Sequence, residues 1–228
     1  MTKSENAQLF DDWPDRYEKW FTTPIGSLVR RVEWELIVDL LRPGPGEFLL
    51  DAGCGTGIFT MDMLSCGARV VGLDLSLPMI RRAGQKARNS RLQIISADLL
   101  NLPFPENSFD KAVSITALEF IPDARKAVKE LFRVTRKGGT VVVATLNSLS
   151  PWAERRREEG QKGHPLFSKA FFRSPEELAA LAPAKGEVRT AVHFSKEENP
   201  DRARETEKQG QSCNLKTGAF LAARWVKP

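Results

Sequence analysis

Cysteine, histidine and tyrosine are scarce in this chain, with three, two and one among 228 residues. Cys54, Cys66 and Cys213 show no C-x-x-C spacing, which excludes a disulfide framework and a cysteine zinc site, and no metal is expected. His164 and His193 have no visible partner for a nucleophile–base pair. Long apolar runs are missing too, so no segment is expected to span a bilayer, and the polar start MTKSENAQ is no signal peptide. Together these absences point to a cytoplasmic protein. A hydrophobic content of 41% over this length is ordinary for one globular unit with a sizeable core. The net charge of +5 would suit nucleic acid, but the basic residues are interleaved with acids, as in Glu154-Arg155-Arg156-Arg157-Glu158-Glu159. That run reads as a solvated helix, and no aromatic-basic RNA-recognition signature accompanies it.

What is present is concentrated in Leu49-Leu50-Asp51-Ala52-Gly53-Cys54-Gly55-Thr56-Gly57. Two apolar residues, an acid and alternating glycines read as a buried strand breaking sharply into a helix. Glycine lets the backbone turn tightly and lets a ligand approach with no Cβ in the way. The following helix presents unpaired N–H groups that suit an anionic group. A dinucleotide site calls for G-x-G-x-x-G, and here Ile58 stands where the last glycine should be. Nicotinamide chemistry is disfavoured accordingly.

Two further strands end in the same way. Ala68 to Leu73 closes on Asp74, 21 residues after Gly53, where an α/β nucleotide site grips a ribose. Leu92 to Ala97 closes on Asp98. Three consecutive strands ending on acids, in register with a glycine turn, read as a binding site more than as packing. Along the chain, Asp12 to Leu41 is expected to be helical with a break at Thr23-Pro24-Ile25-Gly26. Helices are expected over Thr56 to Cys66, Ser76 to about Arg88, and Asp123 to Thr135. Strands are expected over Phe48 to Leu50, Phe109 to Ile115 and Thr140 to Leu146. This alternation argues for an α/β fold with a doubly wound parallel sheet.

Beyond Asn147 the pattern loosens, and residues 148 to 174 show no clean period. Ser174-Pro175-Glu176-Glu177 is a good helix start, and Gly186 to Phe194 and Gly218 to Val226 read as two closing strands. The polar stretch Lys196 to Thr217 reads as a mobile flap or disordered excursion.

The segments LLDAGCGTG (Leu49–Gly57), VVGLDLS (Val70–Ser76), ISADLLNLPFPENSFD (Ile95–Asp110) and RVTRKGGTVVVA (Arg133–Ala144) carry a resemblance. They resemble the class I S-adenosylmethionine-dependent methyltransferases, in particular the small-molecule branch that includes ubiquinone/menaquinone-type enzymes. The resemblance covers about residues 10 to 150 and is specific for the cofactor, not for the acceptor. It implies a mostly parallel seven-stranded, Rossmann-like sheet with an antiparallel last strand. It also implies one domain, comprising an N-terminal helical lid (1–42), a cofactor core (43–147) and a substrate-side insert with closing strands (148–228).

By resemblance, Asp51 and the turn of Gly53, Cys54, Gly55 and Gly57 would hold the methionine end of S-adenosylmethionine. Asp74 would accept both ribose hydroxyls, Asp98 and the backbone of Leu99 would meet the adenine, and Leu75 and Met79 would pack beside it. Leu75 and Met79 read equally well as ordinary packing. The loop of Thr116 and Glu119 would flank the transferable methyl. Tyr17, among Trp13, Trp20 and Phe21, would cover the methionine end, with Arg30 or Arg31 nearby; the same aromatics could simply dock an amphipathic helix. Quinone-methylating relatives often carry a histidine-containing pair where this chain has Glu119-Phe120, which argues against a quinone. Nor is there an Asn/Asp-Pro-Pro-aromatic motif of amino-directed nucleic-acid enzymes. Glu119 reads as a base, an orienter of an acceptor amine, or a cap or partner of an arginine, and the structural reading is favoured because buried unpaired acids are costly. His164 is a further candidate base. The expected activity is methyl transfer to a small molecule, with an RNA or protein acceptor, or a silent cofactor-binding protein, as the alternatives. Arsenic is disfavoured because the cysteines do not cluster.

Overall fold

The computed structural model describes residues 9–86 and 91–228. Helices α1 (Pro14–Thr22) and α2 (Pro24–Leu41) lead into β1 (Phe48–Ala52), α3 (Ile58–Ser65), β2 (Arg69–Asp74), α4 (Leu77–Lys86) and β3 (Leu92–Ser96). Then come β4 (Phe109–Ile115), α5 (Ala124–Val134), β5 (Thr135–Leu146), α6 (Pro151–Gln161), α7 (Pro175–Ala179), β6 (Glu187–Ala191), α8 (Pro200–Ser212) and β7 (Phe220–Val226). Short 3₁₀ turns at Leu118–Phe120 and Phe167–Lys169 complete the set. The last residues of the helix expected through Arg88 lie outside the described residues.

The seven strands form one sheet in the order β3-β2-β1-β4-β5-β7-β6. Strands β1 to β5 are mutually parallel, and β7 runs antiparallel to both β5 and β6. The order reverses between β1 and β4, and ligands of such sheets sit outside the strand ends at that reversal. Alternating strand residues feed two cores. Leu49, Val70, Val113 and Val142 face one layer with α2 and α3, whereas Leu50, Val71, Ala112 and Val141 face the other with α5 and α7.

The break between α1 and α2 has a steric cause. Thr23 caps α2 by accepting from Gly26 N–H at 3.1 Å, and a Cβ on Gly26 would lie 2.0 Å from the Trp20 carbonyl oxygen. Helix α2 buries nine residues and covers the sheet, whereas α1 buries none fully. Strand β5 starts five residues earlier than expected. The Lys137-Gly138-Gly139 turn is an irregularity inside the strand, with Gly138 at φ +72° and a register shift opposite Phe109 and Lys111.

One late helix was hidden in the sequence, and another showed there only as the charged run of residues 154–159. Helix α6 fills part of the segment without a clean period; Ser150 caps it at Ala153 N–H (3.1 Å), but only Ala153 is buried. The expected flap of Lys196 to Thr217 must be corrected, because it contains the 13-residue α8. Its buried face is Ala203, Glu207 and Gly210, small and polar residues that carry no apolar period. Glu207 Oε2 accepts from His193 N–H at 2.6 Å, and Gly210 packs so closely that a Cβ would fall 2.3 Å from the His193 ring. Among the described residues no helix is long and apolar enough to cross a membrane.

Candidate active site

The glycine turn is held between β1, β2 and β4. Gly53, Gly55 and Gly57 have φ of +83°, +53° and +78°. The N–H groups of Gly53 and Cys54 both donate to the Leu73 carbonyl, at 2.8 and 2.9 Å. Gly55 N–H donates to Asp74 Oδ2 at 2.9 Å, so the acid ending β2 fastens the turn. Nothing lies within 4 Å of where a Cβ on Gly55 would sit, whereas one on Gly53 would meet Ala117 Cβ at 2.4 Å.

A cavity of about 410 Å³ opens at these strand ends, within the roughly 300–1,000 Å³ typical of small-molecule sites. Asp51, Gly53, Cys54 and Gly55 form its β1 side, and Asp74, Leu75 and Met79 its β2 side. Asp98 and Leu99 close it beyond β3, and Thr116 beyond β4. Tyr17 covers it from α1, with Leu9 and Phe10 just before that helix. Of the expected turn residues, Gly57 stands apart: it caps α3 and packs against Ala83, where an added Cβ would come within 3.1 Å. Phe120, in the loop expected to flank the methyl, lines the cavity, and so do Ile58, Ile121 and Asp123, which sequence reasoning did not place in the site. The packing of Phe10 edge-on against Phe120, centroids 4.8 Å apart, gave no periodic signal.

The three acids differ in setting. Asp51 is buried with Oδ2 accepting from Thr60 Oγ at 2.5 Å, and burial pushes its carboxyl up to about 7. Asp74 is also raised, chiefly by burial, while the N–H groups of Ser76 and Gly55 pull it back down. Each of its oxygens accepts one backbone bond and keeps a lone pair for a ligand. Asp98 Oδ1 accepts from Leu100 N–H at 2.9 Å, shaping its turn. The Cys54 thiol is packed under Gly72 and raised well above its ordinary value by burial, so it is no nucleophile.

At the α1 end the chain concentrates buried charge. Thr116 has φ +49°, an uncommon conformation for a β-branched residue, fixed by its N–H bond to the Ala144 carbonyl at 2.9 Å. Burial, then Glu33, raises the Tyr17 phenol, with Glu119 and Asp51 adding to the effect and Thr116 opposing it. Glu119 lies in the turn after β4, 1% exposed; Oε2 accepts from Thr145 Oγ at 3.1 Å, and Oε1 has no partner among the described residues. The strand-like segment before α7 clamps this turn, with Phe171 N–H on the Glu119 carbonyl and Arg173 on that of Leu118. Glu119 therefore neither caps a helix nor, among the described residues, has an ion-pair partner.

Burial pushes the Glu33 carboxyl up to about 8 and that of Glu119 up to about 7, with Arg156 opposing both shifts. Glu33 shares the buried face of α2 with Val29, Val32 and Leu36, and an acid on an apolar stripe was the signal that could have found it. Arg156 was masked by its charged neighbours in α6. Because folded Glu33 holds its proton more tightly than the unfolded chain does, its contribution to stability falls as pH rises from about 4.5 to 8. Glu33→Gln should flatten the decline of Tm between pH 5 and 8, measured by thermal unfolding; an unchanged slope would contradict the assignment.

His164 lies off the cavity. Its Nδ1 accepts from the N–H groups of Leu166 and Phe167, both at 3.3 Å, and its ring stacks on Phe167. Arg30 pairs with Asp62 at 2.6 Å and Arg31 faces Glu35, so neither is committed to Tyr17.

Comparison with known proteins agrees with this geometry. The family described as Methyltransferase domain matches residues 50–143. A demethylmenaquinone methyltransferase of Renibacterium salmoninarum is 36% identical over 181 residues, covering 78% of this chain and 75% of that protein. A Thermotoga maritima S-adenosylmethionine-dependent methyltransferase, described as a possible histamine N-methyltransferase, superposes with a TM-score of 0.72 at 24% identity, over 97% of this chain and 99% of that one. Phosphoethanolamine N-methyltransferase 2 of Haemonchus contortus, solved with S-adenosyl-L-methionine, gives a TM-score of 0.72 at 18% identity, over 98% of this chain and 60% of that one. The sheet order, the glycine turn and the relative sharing three quarters of its length make this chain a member of the class I S-adenosylmethionine-dependent methyltransferases, an enzyme that takes its methyl group from that cofactor.

Proposed function

We propose that the cavity holds S-adenosylmethionine along the strand ends and that the enzyme methylates a small molecule in the cytoplasm. The observation that carries this reading is one cavity shared by Asp51, Asp74 and Asp98, with the bare backbone of Gly55 as its wall. The donors of the cofactor match these acceptors: paired hydroxyls for Asp74, an amino group for the free oxygen of Asp98, and cationic groups near Asp51. Leu75 and Met79 offer apolar surface to a purine ring. The cofactor supplies an electrophilic methyl group on a sulfonium. Transfer is an in-line displacement with a neutral leaving group, so the chain has to align the acceptor and keep water out. Tyr17 and Thr116 form the wall on the methyl side, and Phe10 and Phe120, in edge-on contact, line the same cavity.

The relatives named for demethylmenaquinone support a small acceptor. We do not carry the quinone over, because a buried carboxyl, Glu119, sits in the turn after β4 next to the cavity residue Phe120. Thermal unfolding with S-adenosylmethionine, S-adenosylhomocysteine and NAD tests the cofactor site. A ligand at about 100 times its Kd adds about 2.7 kcal/mol, roughly 5–10 °C for a chain of this size. Stabilisation by the two sulfur compounds alone is expected; a shift with NAD alone would refute the reading.

A further inference from the structure

Helix α1 buries no residue fully, yet Tyr17 on it and Leu9 and Phe10 before it line the cavity. A helix without a buried stripe is held by whatever fixes its ends and sides. Its far end is anchored by aromatic contacts: Phe21 packs edge-on against Phe59 and Trp20 against Trp152, and extended Thr23 then joins it to α2. Its leading end is held mainly by polar contacts to α4. Asp11 Oδ1 accepts from Ser76 Oγ at 2.7 Å, and Asp15 pairs with Arg82. Glu18 pairs with Lys86 at 2.5 Å and with Arg82 at 3.7 Å. Acids at 11, 15 and 18 thus form a stripe at helical spacing, set against bases at 82 and 86 on a helix with no acid of its own. On the other side Phe10 meets Phe120 edge-on, and Trp13 lies 5.8 Å from the His164 ring.

The polar contacts reach both segments that hold the cofactor. Ser76 gives its N–H to Asp74 Oδ1 and its hydroxyl to Asp11. Lys86 pairs with Glu18 while donating to the Thr56 carbonyl of the glycine turn at 2.9 Å. Resting on the reading that S-adenosylmethionine lies along these strand ends, we propose that residues 9–22 form a strap over the bound cofactor, that the ion pairs with α4 are its latch, and that unlatching sets the rate at which S-adenosylhomocysteine leaves. The side chain of Asp15 is 84% exposed, and those of Glu18, Lys86 and Arg82 keep 25%, 29% and 35% of their surface in solvent. Each pair is therefore weak and screened by salt. Such a latch holds the strap down during transfer and lets it lift once per turnover, whereas an apolar seam in the same place would not answer to salt. The coupling is reciprocal, so a bound cofactor also holds the strap closed.

The test uses the full chain and S-adenosylhomocysteine, which carries no net charge at neutral pH and so adds little salt dependence of its own. Release of the radiolabelled compound is followed after dilution into excess unlabelled ligand. The rate should rise about three- to tenfold between about 50 mM and 1 M sodium chloride. Asp15→Lys with Glu18→Lys should raise the low-salt rate about tenfold and remove the rise with salt. Adding Arg82→Glu to that pair should recover part of the lost retention, because attraction is restored with its signs exchanged; damage to packing would not be repaired this way. Amide exchange in α1 should slow when S-adenosylhomocysteine binds and be faster in the reversed variant, with the strand amides unchanged. Should the reversed variant fail to fold, Asp15→Asn with Glu18→Gln reads the same effect, at about threefold in rate. Release indifferent to salt and to these substitutions, or α1 amides that exchange alike with and without ligand, overturns the strap and its latch while leaving the cofactor site standing. A chain that binds neither sulfur compound overturns the cofactor reading first, and this proposal with it.

Discussion

Asp74→Ala is expected to cost S-adenosylmethionine about 3–6 kcal/mol of binding, on the order of 10²–10⁴-fold in Kd, if each ribose hydroxyl gives a charge-assisted bond of about 1.5–3 kcal/mol. The carboxylate also accepts from the N–H groups of Gly55 and Ser76, both at 2.9 Å, so its loss orphans two donors and loosens the glycine turn. Asp74→Asn separates the two contributions. Its amide keeps one acceptor oxygen, which can hold a single backbone N–H but not both hydroxyls. Calorimetry with S-adenosylhomocysteine should therefore rank wild type above Asn and Asn above Ala. Equal affinities in folded proteins would remove Asp74 from the ribose.

Gly53→Ala should produce the larger loss of stability. The residue sits at φ +83°, which costs a side chain roughly 1–2 kcal/mol. Its new Cβ would fall 2.4 Å from Ala117 Cβ, an overlap that the strand end after β4 can relieve only by moving, at about 1–3 kcal/mol. The sum, about 2–5 kcal/mol, corresponds to a Tm lowered by roughly 4–20 °C. Gly55→Ala is the control: at φ +53° it shares the backbone cost of roughly 1–2 kcal/mol, but nothing lies within 4 Å of its Cβ position. It should lose less stability than Gly53→Ala and also lose ligand affinity, because the methyl fills cavity space. A Gly53→Ala protein as stable as wild type would mean that the turn and the loop of Ala117 are not packed as described.

Much of this fold was legible because the strands of a buried sheet leave a plain trace. Leu49-Leu50, Val70-Val71 and Val141-Val142-Val143 are apolar on both faces, and each faces a helical layer. The glycine turn was equally plain, since its φ values exclude most side chains. Of the late helices, α8 was missed because it buries alanine, glycine and glutamate, so its inner face looks like an outer one, whereas α6 showed only as the charged run of residues 154–159. The acceptor side was half legible. Glu119 and Tyr17 drew attention as single residues, but that Glu33 and Arg156 bear on them is set by tertiary packing, which no local spacing encodes.

The cavity residues proposed for the cofactor, apart from Tyr17 and Thr116, all fall between Asp51 and Leu99, in one continuous half of the sheet. Tyr17, Thr116 and Phe120, on its other side, come from segments before and between the strands. Inheritance can therefore treat the two separately. Descendants can exchange α1 and the turn after β4 and so acquire new acceptors, while the stretch from β1 to β3 passes on unaltered with its one shared reagent.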